Sequence, residues 1–150
     1  MTPDAQLTTV TDVRFSFSHV ALLVADLRAS VCWYRDLLDW TEEFVSPMAS
    51  ELGDLNGFTG KAGTVAMGTV DGVRVELVQM DTDQALAPAS ARDRHGLFLM
   101  AIRVDDLAAV RRRCGQLGTR IIREGTIGQT TTLIVEDPDG QEIAVLGVEP

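Results

Sequence analysis

The sequence predicts an α+β fold made of two βαβββ modules in one chain, and three observations carry that prediction. His19-Val20-Ala21-Leu22-Leu23-Val24-Ala25-Asp26-Leu27 reads against Leu99-Met100-Ala101-Ile102-Arg103-Val104-Asp105-Asp106-Leu107. Each stretch is followed by a run with helical spacing. Later in each half, Asp71-Gly72-Val73-Arg74-Val75-Glu76-Leu77 reads against Asp139-Gly140-Gln141-Glu142-Ile143-Ala144-Val145. The order strand, helix, three strands therefore occurs twice.

Each element has a local cause. His19 to Val24 is apolar and β-branched enough for a buried strand. Asp26 supplies an N-cap for a helix to about Leu38, with Leu27, Val31, Tyr34 and Leu38 at helical spacing. Trp40 to Val45 reads as a second strand. Ser46 to Gly63 contains Pro47, Gly53, Gly57 and Gly60 and is expected to be one long loop, of the kind that often covers a site. Thr64 to Thr69 and Val73 to Met80 are strands joined by Asp71-Gly72, a pair that favours tight hairpins. Asp81 to Gly96 is polar and Ala-rich and reads as a linker. The second module repeats the pattern: strand Leu97 to Val104, cap at Asp105 or Asp106, and a helix to about Leu117 ended by Gly118. Strands near Arg120 to Glu124, Thr130 to Glu136 and Glu142 to Val148 complete it.

The totals bound the class. A chain of 150 residues is the size of one domain and can bury a real core. The expected division is a polar tail over 1–14 and a single domain over 15–150. Within the domain, module one is 15–80, the linker 81–96 and module two 97–148. No apolar run approaches the roughly 20 residues of a membrane helix, and the first residues lack the pattern of a signal peptide. The net charge of −9 repels phosphate backbones and anionic lipid. Neither nucleic acid nor membrane is expected as a partner. Cys32 and Cys114 are single and far apart, which reads as buried free thiols in a reducing cytoplasm.

The halves differ where chemistry is concerned. His19 stands opposite Leu99 in the repeat, and Glu76 opposite Ala144. One half keeps an imidazole and a carboxylate; the other has hydrocarbon.

The repeated openings, the Val75-Glu76-Leu77-Val78-Gln79 strand and the Asp137-Pro138-Asp139-Gly140 turn resemble the vicinal oxygen chelate superfamily. That superfamily includes glyoxalase I, methylmalonyl-CoA epimerase, extradiol dioxygenases and the bleomycin and fosfomycin resistance proteins. The resemblance covers about Phe17 to Val148. It implies the glyoxalase/bleomycin resistance fold, a concave sheet enclosing a cavity, and a homodimer. Metal-using members draw ligands from four positions, which here are His19, Glu76, Leu99 and Ala144. Two protein ligands seldom hold a divalent ion, since catalytic sites commonly use three plus water. His95 lies roughly 13 Å from Leu99 along an extended chain and is a poor substitute. No cofactor is expected, though a weak divalent ion on His19 and Glu76 is compatible with the sequence.

Strand alternation extends the cavity beyond those positions. With His19 facing in, Ala21 and Leu23 follow it, while Val20, Leu22 and Val24 pack beneath the helix. Arg74, Val78 and Met80 travel with Glu76; Ala101 and Arg103 travel with Leu99; Glu142 and Leu146 travel with Ala144. Glu142 follows a turn and is expected at the surface. Trp33, Tyr34 and Trp40 are near the rim but read better as core, and Asp54 and Lys61 read as solvated loop charges. The expected site is therefore His19 and Glu76 as an acid/base pair, with Arg103, Arg74, Leu99, Ala144, Met80 and Leu23 contacting a small-molecule substrate.

Three functions are consistent with this arrangement. The favoured one is a metal-independent enzyme transferring protons on a carbonyl or phenolic substrate in an apolar cavity, of isomerase, lyase, hydratase or cyclase type. The second is a protein that binds and sequesters a small compound such as an antibiotic. The third, a metal-dependent glyoxalase or dioxygenase, is disfavoured by Leu99 and Ala144.

Overall fold

The computed structural model describes residues 13–82 and 95–149. Eight strands and three helices follow in the order β1 (Val20–Leu23), α1 (Leu27–Leu38), β2 (Thr41–Met48), α2 (Ser50–Leu55), β3 (Gly63–Val70), β4 (Val73–Met80), β5 (Leu99–Arg103), α3 (Leu107–Leu117), β6 (Ile121–Ile127), β7 (Thr130–Glu136) and β8 (Glu142–Gly147). The two halves give two four-stranded sheets of identical topology, β1-β4-β3-β2 and β5-β8-β7-β6. The first strand of each sheet pairs in parallel with the last, and the other pairs are antiparallel. The duplication read from the sequence is thus a duplication of fold. The expected tail and linker fall mostly on 1–12 and 83–94, outside the described residues.

The likeness extends to small details. The Asp26 carboxylate accepts from the Ala29 N–H at 3.0 Å and caps α1; Asp106 accepts from Ala109 at 2.9 Å and caps α3. Both helices end on a left-handed residue, Asp39 at φ 56° and Gly118 at φ 66°. Both second strands carry a register shift in their first turn of pairing, between Glu42 and Phe44 and between Ile121 and Arg123.

One face of each sheet packs on a single shared core. Leu22, Val24, Tyr34, Leu37, Trp40 and Leu77 from the first half meet Leu107, Val110, Leu133, Val135, Ile143 and Val145 from the second. Polar contacts lock the halves together. The Tyr34 hydroxyl donates to Asp137 at 2.8 Å, the Trp33 indole N–H to the Thr119 hydroxyl at 2.9 Å, and the Ala25 N–H to Asp139 at 3.1 Å. Arg113 donates to the Leu37 carbonyl at 3.0 Å and to Asp39 at 2.9 Å. Tyr34 and Trp40 are accordingly core residues.

The stretch Ser46–Gly63 departs from the expected loop. β2 runs on to Met48, and α2 follows at once. Pro47 is tolerated because β2 is an edge strand, where a missing N–H removes no ladder bond. Gly53 lets the returning chain pass close: a Cβ there would stand 2.1 Å from the Lys61 carbonyl oxygen. Asp54, at an exposed position, accepts from the Gly60 N–H, and half-buried Lys61 donates to Thr82 at 3.2 Å, so both charged side chains fasten this segment. Cys114 is buried as expected, but Cys32 is half-exposed on α1.

Candidate functional site

The face of each sheet turned away from the core holds the residues with chemistry. Leu22 and Val24 enter the core, which leaves Ala21 and Leu23 on the outer face, Leu23 at 44% exposure. On β4, Val75 and Leu77 go inward, so Arg74, Glu76, Val78 and Met80 are outward. The parallel registers are equivalent: Ala21 lies opposite Glu76, and Ala101 opposite Ala144. His19 precedes Ala21 by two positions as Leu99 precedes Ala101, so the structural superposition is the one read from the sequence.

His19 sits just ahead of β1, and its Nε2 lies 2.8 Å from Glu76 Oε2, with side-chain exposures of 35% and 14%. An ionised carboxylate only accepts, so Nε2 carries the proton and Nδ1 presents a lone pair. Ser18 Oγ stands 2.8 Å from that Nδ1, and its hydroxyl is the donor that such a tautomer requires. The sequence reading did not include Ser18; its only signal there is adjacency to His19.

The other expected contact residues are distributed as follows. Arg74 is bound by Glu43, its Nε 3.1 Å from Oε2 with a second, shorter contact through Nη2, and this hydrogen bond holds the Glu43 carboxyl below its ordinary range. Met80 is buried with Met48, Val65 and Val78 in a small apolar cluster that Phe58 completes. Leu99 is half-buried, and Ala144 is buried on the second sheet. Arg103 is exposed and lines a cleft of about 280 Å³ at the junction of the halves, beside Leu37, Val70, Asp71, Ile102 and Val110. That cleft contains neither His19 nor Glu76. Glu142 is not at the surface as expected. It is 4% exposed, and Arg123 Nη2 donates to it at 2.7 Å. The partners Glu43 and Arg123 reach these residues across a bulged strand, and a bulge leaves no trace in simple alternation.

The donors do not fit a resident metal. Leu99 and Ala144 supply no lone pair, and among the described residues no group of three or more His, Cys, Asp or Glu side chains is placed to hold an ion. What the pair can do is accept and return a proton at His19 Nδ1 while Glu76 stabilises the imidazolium.

Paired βαβββ modules, each with one sheet face on a shared core, define the class of fold. The chain belongs to the Glyoxalase/Bleomycin resistance protein/Dioxygenase superfamily, whose family model matches residues 16–145. A glyoxalase-family protein from Bacillus cereus superposes with a TM-score of 0.80 at 16% identity, over 94% of this chain and 99% of that one. A glyoxylase/bleomycin resistance protein/dioxygenase domain from Frankia sp. gives 0.72 at 20% identity, over 91% and 94%. Fosfomycin resistance protein FosX from Mesorhizobium loti gives 0.61 at 17% identity, over 89% and 91%. At such identities the likeness is one of fold. A search among curated proteins finds no match.

Proposed function

We propose that this protein is an enzyme that moves protons on a small carbonyl or phenolic compound without a metal, with His19 as the base and Glu76 as the group that orients it. The 2.8 Å contact between His19 Nε2 and Glu76 Oε2 carries the reading. A largely covered carboxylate beside an imidazole fixes the tautomer and stabilises the cation formed when Nδ1 takes a proton. Abstraction of a proton next to a carbonyl, followed by its return elsewhere, gives isomerisation; loss of a leaving group gives elimination. Such chemistry needs no third or fourth ligand, which agrees with hydrocarbon at Leu99 and Ala144.

The test is exchange of carbonyl-adjacent C–H for deuterium, followed by NMR across a panel of small ketones, aldehydes and phenols. Exchange that falls in both His19→Ala and Glu76→Gln supports the assignment. Turnover left intact in both variants would remove the pair from the mechanism.

A second copy of the chain is part of this reading. β1 and β5 are both edge strands with an unpaired side. The outer faces also expose Leu23 and Phe44, at 44% and 45%. A partner whose second module meets the first would bring Leu99, Ala101 and Arg103 over His19 and Glu76 and supply an apolar enclosure. Light scattering reports the mass directly: a dimer supports the enclosure, and a monomer at micromolar concentration argues against it. The superfamily's sequestering role offers the other reading, favoured by the exposed apolar side chains of this face. Ligand retained unchanged after binding would mark that case.

A further inference from the structure

Ser18, His19 and Glu76 stand in line. The Ser18 hydroxyl is 2.8 Å from His19 Nδ1, and His19 Nε2 is 2.8 Å from Glu76 Oε2. With the Nε2 proton committed to the carboxylate, the hydroxyl donates into the remaining lone pair. A hydroxyl within reach of a base that a third group orients is the arrangement by which serine becomes a nucleophile. Its burial gradient suits that use. Glu76 is mostly covered while Ser18 is exposed, so the orienting charge is shielded and the reacting oxygen is open to a ligand. Ser18 also lies in the irregular stretch ahead of β1 and is free of the sheet ladder.

We propose that Ser18 is an acyl-accepting nucleophile and that the protein hydrolyses small aryl esters with apolar acyl groups; this rests on His19 and Glu76 acting as an acid/base unit. The Ser18 O–H proton passes to His19 Nδ1 as Oγ bonds to the acyl carbon. The carbon–oxygen bond to the leaving phenol breaks, and that oxygen takes the proton from Nδ1. Water then adds to the acyl carbon with His19 again accepting a proton, the Oγ–acyl bond breaks, and Ser18 regains its hydrogen as the acid leaves. Ala21 and Met67, both paired beside Glu76, give the outer face around the pair an apolar character that suits an apolar acyl group.

Incubation of the full chain with an alkyl fluorophosphonate, read by intact mass and peptide mapping, tests this. One adduct per chain on Ser18 is expected. Its rate should fall by roughly a hundredfold in His19→Ala, fall in Glu76→Gln, and be unchanged in Ser16→Ala. A phenol burst from p-nitrophenyl acetate should accompany it. No adduct on Ser18, an adduct on another serine, or a rate indifferent to His19→Ala overturns the proposal. Labelling of Ser18 without deuterium exchange would refute the proton-transfer reading alone, and exchange without labelling would refute this one alone.

Discussion

The hydroxyl of Tyr34, on the helix of the first half, donates to the carboxylate of Asp137, in the second, at 2.8 Å and out of contact with water. Asp137 also accepts from the backbone N–H groups of Asp139 at 2.9 Å and Gln141 at 2.8 Å. One carboxylate therefore holds a turn together and ties the two halves across the core. Burial, then the charge and hydrogen bond of Asp137, drive the Tyr34 phenol far above its ordinary range. Burial likewise raises the Asp137 carboxyl against the donors that lower it.

The sign of the pH dependence follows from those shifts. A raised phenol pKa means that the unfolded chain loses its proton first, so stability is intact below about pH 10 and falls as pH rises beyond it. The chain has one tyrosine, and its absorbance near the phenolate band therefore reports this site alone. The phenolate signal should appear together with loss of circular dichroism in the alkaline transition; a separate, earlier titration would contradict the buried hydrogen bond. Tyr34→Phe should cost about 1–3 kcal/mol, because Asp137 keeps its burial and loses a donor.

Two glycines should respond oppositely to alanine. A Cβ at Gly68 would lie 2.2 Å from the Trp40 ring, in the core. Gly68→Ala is expected to destabilise by about 1–3 kcal/mol or more through overpacking. Gly115, inside α3, has open space around it. Gly115→Ala should stabilise by about 0.5–1 kcal/mol from helix propensity. Urea midpoints measured side by side decide both.

Arg123→Met should weaken the second sheet. It removes the donor at 2.7 Å from a carboxylate that is 4% exposed. Arg123 is itself about half exposed, so the loss is set by the buried partner and tempered by solvent at the guanidinium. About 1–3 kcal/mol is expected from chemical denaturation.

Metal affinity should follow the donor count. Protein purified without chelator should hold far less than one equivalent of transition metal by mass spectrometry. Leu99→His combined with Ala144→Glu completes a His/Glu set and should tighten Zn(II) binding by roughly tenfold or more in calorimetry. The gain depends on the two outer faces meeting, so it also reports whether a second copy brings them together. Near one equivalent of tightly held metal in the unaltered protein would overturn the metal-free reading.

The repeat made most of the fold legible. Periodicity identified the strands, and Asp26 and Asp106 announced both helices through their caps. Positions 19, 76, 99 and 144 could be aligned from sequence because the first-strand and last-strand motifs repeat in both halves, although the stretches between them differ in length. What escaped was decided by side-chain contacts that periodicity does not encode. Pro47, Gly53, Gly57 and Gly60 looked like loop material, yet an edge strand and a tight crossing at Gly53 absorb much of the stretch. Glu142 looked exposed because it follows a turn, but a bulge in β6 aims Arg123 at it. Ser18 carried no periodic signal at all; only the hydrogen bond to His19 singles it out.

Strand alternation gives this chain two populations of positions with unequal freedom to change. Inward positions from both halves interlock in one core, so an alteration in either half is felt by both. Outward positions stand apart from that shared core, some of them in a small cluster of their own, and Leu99 stands where its counterpart is His19. Duplication of the module therefore gives two equivalent positions on the outer faces, and side chains as different as His19 and Leu99 occupy them on one common core.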